Sequence, residues 1–280
     1  MKLLRWGEAG QERPGLLDRD GVLRDLSGLV DDIAGATLLP EGLDKLRALD
    51  AAKLPAVAGR PRLGTPVGRV PNFIAVGLNY ADHAKEAGVE VPREPLLFPK
   101  HTSCICGPND PIIIPPGSTK LDWEVELGVV IGRPGRNIPK DAWQDHVAGY
   151  VAVNDVSERA FQLEGTGQWY KGKSNPNFGP VGPWLVTADE VPDPQNLKLW
   201  LEVDGRRFQN GTTATMVYGV AHLIPYISNF MALMTGDIIT TGTPPGVGLG
   251  HKPPVFLRAG QVVRLGVEGL GEQECKVVPA

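Results

Sequence analysis

The sequence predicts a β-rich α+β fold with a small N-terminal module. Short apolar runs with strand-like alternation recur along the chain, Gly (35) and Pro (26) are scattered as turn signals, and helical periodicity is confined to a few segments. At 280 residues, with 42% hydrophobic residues, the chain can bury a substantial core. Its formal net charge of -4 comes from interspersed charges without basic runs, which argues against a nucleic-acid partner. MKLLRW gives way at once to GEAGQERPG, and no apolar stretch approaches the roughly 20 residues needed to span a bilayer. The expectation is a cytoplasmic protein with no membrane partner. Cys104, Cys106 and Cys275 form neither a disulfide framework nor a zinc spacing, and read as small core residues.

Residues 1–68 read as the N-terminal module and 69–280 as the main domain. The module holds a hairpin around Asp20-Gly21, between LLDR and VLRDL, and a helix near Leu43–Ala52. The Pro/Gly-rich stretch Ala58–Pro71 links it onward. Strands follow near Phe73–Leu78, Ile112–Ile114, Trp123–Ile131, Tyr150–Asn154, Leu197–Val203, Ile238–Thr241, Val262–Glu268 and Glu274–Val278. Helices are expected near Asn79–Ala87, Asp141–His146, Ser157–Glu164 and Val217–Leu233, the last bent at Pro225.

The run Leu121–Ile131, LDWEVELGVVI, is the most informative feature. Strand alternation puts Glu124, Glu126 and Gly128 on one face and Val125, Leu127, Val129 and Ile131 on the other. Neighbouring like charges repel unless water or a cation compensates, and this segment alone slightly favours a solvated acidic face over a cation site. Asp155, at the end of a strand, would complete an all-oxygen set suited to Mg²⁺, Mn²⁺ or Ca²⁺. Arg159 and Gln162 follow it at helical spacing. His83 and Glu86 lie at i and i+3 of a helix, so the carboxylate can orient the imidazole as a general base, although an exposed helical pair has the same spacing. His222, amid Val220, Leu223 and Ile224, reads as a core residue. Lys171 or Lys173 could stabilise an anion, against a default of surface lysines. TGDIITTGTPPGVGLG is a strand and Gly/Pro loop whose free amides, with Thr243, suit a substrate carboxylate; it lacks the P-loop lysine.

In order and wording, GLNYADHAKE, LDWEVELGVVIG, GYVAVNDVSERAFQ, the lysine block and TGDIITTGTPPGVG resemble the fumarylacetoacetate hydrolase family over about Asn72–Val278. The resemblance implies a mixed β-sandwich roll, a homodimer, and a divalent metal on Glu124, Glu126 and Asp155. It places the dyad His83 and Glu86 on a mobile lid helix, makes Lys173 the family lysine because it precedes the serine of K-S, and matches Arg159 and Gln162 to the family's arginine and glutamine after the aspartate, which join Thr243 as substrate-binding candidates. The implied reaction is hydrolysis of the C3–C4 bond of a 2,4-diketo acid to pyruvate and a second acid such as lactate. MKLLRWG, GLLDRDGVLRDLSG and NGTTATMVYGVAHLIPYISNFM are similar to bacterial 2,4-diketo-3-deoxy-sugar-acid hydrolases of L-rhamnose and L-fucose breakdown, whose relatives often carry a ureidoglycolate lyase label. Alternatives are an oxaloacetate decarboxylase, another acylpyruvate or fumarylpyruvate hydrolase, and a non-catalytic metal- or sugar-acid-binding protein; the last has no use for the His83, Glu86 and Lys173 set.

Overall fold

Two β-sheets carry the architecture of the computed structural model, which describes residues 1–86, 88 and 90–280. The larger has nine strands in the spatial order Leu23–Asp25, Arg13–Leu17, Lys2–Trp6, Leu185–Thr187, Val147–Asn154, Val125–Ile131, Ile238–Thr240, Phe73–Gly77 and Leu96–Lys100. Its pairings are antiparallel except that of Ile238–Thr240 with Phe73–Gly77. The smaller sheet runs Arg206–Thr212, Lys198–Val203, Val262–Val267, Gly271–Pro279 and Ile112–Ile114. It packs across Val125–Ile131 and Val147–Asn154, so that Leu127, Val129, Val151, Leu199, Leu201 and Leu265 share one core. This is the β-rich fold that the alternation pattern predicts.

The N-terminal strands join the large sheet: Lys2–Trp6 pairs antiparallel with Leu185–Thr187. The expected hairpin forms between Arg13–Leu17 and Leu23–Asp25, where Gly21 takes a positive φ of 77° and the Asp18 carboxylate accepts the amides of Asp20 and Val22. The helix expected near Leu43–Ala52 runs instead over Pro40–Arg47, because Pro40 supplies a preset φ at its first turn.

Other elements differ for physical reasons. The long helix expected over Val217–Leu233 is Val220–Ser228 alone. Before it, the amides of Val217 and Tyr218 donate to the Asn79 carbonyl and side chain; at its end, the carbonyl and hydroxyl of Ser228 accept from Asn137 and Ile138. His222 is exposed, not core, stacked between Tyr218 and Tyr226 at 5.1 and 5.9 Å between centroids. The expected Asp141–His146 helix is one 3-10 turn, Trp143–His146. Ser157 and Glu158 pair with Leu121–Asp122, so the helix begins only at Arg159 and ends at Leu163. Strands Leu96–Lys100, Leu185–Thr187 and Arg206–Thr212 and helix Trp169–Lys173 have no counterpart in the sequence reading. The helix expected over Asn79–Ala87 is Ala81–Glu86; its Ala87 end lies outside the described residues. Among the described residues, no helix is long and apolar enough to cross a membrane. The three cysteines are free and buried, as expected.

Candidate active site

A break in the central strand creates the site. The ladder expected from Trp123 starts only at Val125, because the preceding amides go to side-chain acceptors: Trp123 to Asp122 Oδ1 (2.8 Å), Glu124 to Asn154 Oδ1 (3.2 Å) and Val125 to Gln209 Oε1 (3.0 Å). The Asp155 amide then donates to the Glu124 carbonyl at 2.9 Å, which brings both residues to the same corner. Glu126 points to that corner from within the strand; its carboxylate accepts the Gly242 amide (2.7 Å) and the Thr240 hydroxyl. Glu124, Glu126 and Asp155 are 5%, 2% and 1% exposed, so the acidic face is not solvated. Each offers an oxygen within 4.8 Å of the others.

Cations surround these carboxylates. The Lys173 ammonium donates to Glu124 Oε2 and Asp155 Oδ2, both at 2.7 Å, while Lys171 is exposed. Arg159 donates to Glu124 Oε1 (2.7 Å), Asp122 Oδ2 (2.8 Å) and Gln162 Oε1 (3.0 Å), which joins Gln162 to the cluster. Lys173 reaches inward because its short helix lies almost in contact with the preceding one: a Cβ on Gly172 would sit 2.5 Å from Gln162 Cβ. Sequence reasoning missed two members. Lys100 is buried and donates to Asp155 Oδ1 (2.5 Å) and to the carbonyls of Lys173 (2.7 Å) and Phe178 (3.1 Å). Its only sequence signal is a lysine closing the apolar run PLLFPK. Asp122 is fully buried and gathers Arg159 with the amides of Trp123, Gly248 and Leu249; as the residue before E-V-E it carried no separate signal.

The His83–Glu86 pair faces this cluster across a cavity of about 500 Å³ that all nine sequence-predicted site residues line. His83 Nδ1 lies 3.2 Å from Glu86 Oε2, and His83 is 8% exposed, so the pair is not a surface decoration. Glu86 also accepts the Gly246 amide at 2.9 Å. Four of the Gly/Pro loop's amides are taken within the chain: those of Gly242, Gly246, Gly248 and Leu249 bind Glu126, Glu86 and Asp122. Thr243 lines the cavity, but its hydroxyl donates to the Val125 carbonyl (2.8 Å) and accepts from Gln209 (2.8 Å). Beyond the polar cluster the walls are Val76, Leu78, Phe98, Leu163, Trp169 and Leu249.

The electrostatics suit a divalent cation. Burial would raise the Glu124 carboxyl, but Lys173 and Arg159 hold it down at about 2. Burial and the charges of Asp155 and Glu124 push Glu126 well above the usual carboxylate range. Lys173 is disfavoured by burial yet pulled upward by Asp155 and Glu124, so it remains an ammonium. Four buried carboxylates, with Asp122, face three buried cations, Lys100, Arg159 and Lys173. A hard divalent cation on Glu124, Glu126 and Asp155 would relieve the Glu126 repulsion, and the donor set is all oxygen.

Comparisons with known proteins agree. The model for fumarylacetoacetate (FAA) hydrolase C-terminal domains matches residues 72–278. A Burkholderia multivorans protein named "Putative hydrolase" is 65% identical over 274 residues, covering 98% of this chain and 97% of its own length. The structure of fumarylacetoacetate hydrolase from psychrophilic Exiguobacterium antarcticum superposes with a TM-score of 0.85 at 35% identity over 100% of both chains. That of maleylpyruvate hydrolase from Sphingobium sp. SYK-6, in complex with manganese(II) ion and pyruvate, gives 0.82 at 30% identity, again over 100% of both.

Proposed function

The chain belongs to the fumarylacetoacetate hydrolase family, and on that premise we propose that it is a divalent-metal-dependent hydrolase of the C3–C4 bond of 2,4-diketo acids of the acylpyruvate type. The observation that carries this reading is the buried Glu124, Glu126 and Asp155 cluster facing the His83–Glu86 pair across one cavity. Mg²⁺ or Mn²⁺ suits the three carboxylates, and when bound supplies the Lewis acidity that makes a pyruvate enolate a tolerable leaving group. The manganese and pyruvate bound by the maleylpyruvate hydrolase support it.

The chain's own residues do the rest. Glu86 holds His83 Nδ1, so Nε2 takes the proton from the water that attacks the C4 carbonyl. The Lys173 ammonium, fixed by Glu124 and Asp155, favours negative charge developing beside it, and Arg159 fixes the other Glu124 oxygen. The proton held by His83 then protonates the departing C3, leaving pyruvate and a second carboxylate. Within this class the sequence wording favours a 2,4-diketo-3-deoxy sugar acid, whose second product is lactate when the sugar is a 6-deoxy one.

The test is product identity in H₂¹⁸O by mass spectrometry, across a panel of acylpyruvates, maleylpyruvate and diketo sugar acids with Mn²⁺ or Mg²⁺ present. One solvent oxygen should enter the new carboxylate of the second acid. Release of CO₂ from oxaloacetate with no diketo acid cleaved would establish a decarboxylase instead.

A further inference from the structure

We infer that Gly250 is a positioning residue for the base: with the Gly246 amide it forms the seat that holds the Glu86 carboxylate and so aims His83. The inference rests on the diketo-acid reading of the site and adds to it what orients the dyad. Glu86 Oε2 lies 3.2 Å from His83 Nδ1, and both Glu86 oxygens accept from the Gly246 amide, at 2.9 and 3.1 Å. The backbone of Gly250 does not itself call for a glycine, since its φ lies outside the left-handed region and its amide makes an ordinary bond to the Val247 carbonyl at 3.0 Å. What a side chain there would meet is Glu86. The three heavy atoms nearest to a Cβ on Gly250 all belong to that residue, with Cγ at 2.6 Å, Oε1 at 2.8 Å and the carboxyl carbon closer still. The space that the missing side chain leaves is the space that the carboxylate fills.

The seat is rigid and tied to the carboxylate cluster. Gly246 has a φ of 105°, and a Cβ on it would strike the Phe208 carbonyl oxygen, so only glycine lets the loop lie this close to strand Arg206–Thr212. Its carbonyl accepts Trp123 Nε1 at 3.1 Å. The 3-10 turn Gly248–Gly250 is pinned where the amides of Gly248 and Leu249 donate to Asp122, at 2.6 and 3.0 Å. Asp122 in turn accepts from Arg159 (2.8 Å), which holds Glu124 (2.7 Å), so one run of hydrogen bonds joins the seat to the donor set. Glu86 ends a helix of only six residues, too short to be stable by itself, and among the described residues the exposed Lys252 on the same cavity wall forms no ion pair with it. The seat therefore sets where the carboxylate stands, and the carboxylate sets which imidazole nitrogen carries the proton. A base misplaced by about 1 Å can lose about 10²-fold in rate.

The test is Gly250→Ala, read first without substrate. In Mg²⁺-loaded protein labelled with ¹⁵N-histidine, at a pH where the rings are neutral, the nitrogen shifts of His83, assigned by the signal that His83→Gln removes, should place the proton on Nδ1 in the wild type and shift it toward Nε2 in Gly250→Ala. Turnover of the diketo acid that the wild type cleaves fastest should fall about 10²-fold in kcat. Calorimetric affinity for 2-oxohexanoate, which keeps the 2-oxo acid head but lacks the 4-keto group and cannot be cleaved, should stay as in the wild type, as should the urea midpoint, because the added methyl displaces only a side chain. In a Glu86→Ala background the same substitution should cost nothing more, since its obstacle is gone. A wild-type proton on Nε2, a Gly250→Ala variant with unchanged tautomer and kcat, a loss of 2-oxohexanoate affinity with kcat kept, or an equal loss in the Glu86→Ala background would overturn the inference. If the wild type cleaves no diketo acid but the tautomer still switches in Gly250→Ala, the catalytic reading fails and the seat stands.

Discussion

With Nδ1 committed to Glu86, His83 can accept a proton only at Nε2, and its low exposure keeps bulk water from competing. Its distance from the ligand set in role, if not in space, makes a clean separation possible. His83→Ala should bind Mn²⁺ and 2-oxohexanoate as wild type does while losing about 10²–10⁴-fold in turnover, the usual worth of a positioned general base. Single-turnover kinetics and calorimetry on the same sample check both halves. A variant with wild-type turnover would remove His83 from the mechanism.

Two short helices decide where the ammonium sits. Arg159–Leu163 and Trp169–Lys173 are five residues each, too short to be stable alone, and they hold their places through close packing and ion pairs. Gly172 is the contact point, since a Cβ there would lie 2.5 to 2.6 Å from Gln162 Cβ, the Gln162 amide nitrogen and the Glu158 carbonyl. Gly172→Ala should therefore force the helices apart, costing about 1–3 kcal/mol in urea unfolding, as overpacking does. Because Lys173 is the next residue, turnover should fall with it. Unchanged stability and turnover would show that the contact relaxes at no cost.

At the scale of the whole molecule, the charge cluster joins distant parts of the chain: Lys100 from one edge strand, Asp122 and Glu124 from the stretch leading into the central strand with Glu126 inside it, and Asp155, Arg159 and Lys173 from the segment that follows. A cation that binds only the folded state stabilises all of it by mass action, by about 2.7 kcal/mol at a hundredfold excess over Kd. In a chain of 280 residues, Mn²⁺ or Mg²⁺ should raise the thermal midpoint by roughly 5 °C. EDTA should reverse the rise and Glu126→Gln should abolish most of it. Differential scanning calorimetry that shows no shift for the wild type would reduce the carboxylates to structural ion pairing.

The sequence by itself determined the β-rich class and most of the donor set. Alternation puts Glu124 and Glu126 on one face, and i,i+3 spacing puts Glu86 beside His83; both follow from local backbone geometry. Whether that acidic face met water or a buried cluster was a different matter. It depends on Lys173 and Arg159 reaching Glu124 across 49 and 35 residues, on Lys100 reaching Asp155 across 55, and on the sheet that covers them, which no local period encodes. Lys100 and Asp122 were invisible for the same reason, since their charged partners, Asp155 and Arg159, lie 55 and 37 residues away. Likewise, only tertiary structure turned the glycine loop's amides inward onto Glu86, Asp122 and Glu126, because backbone donors bear no residue identity and their acceptors are chosen by packing.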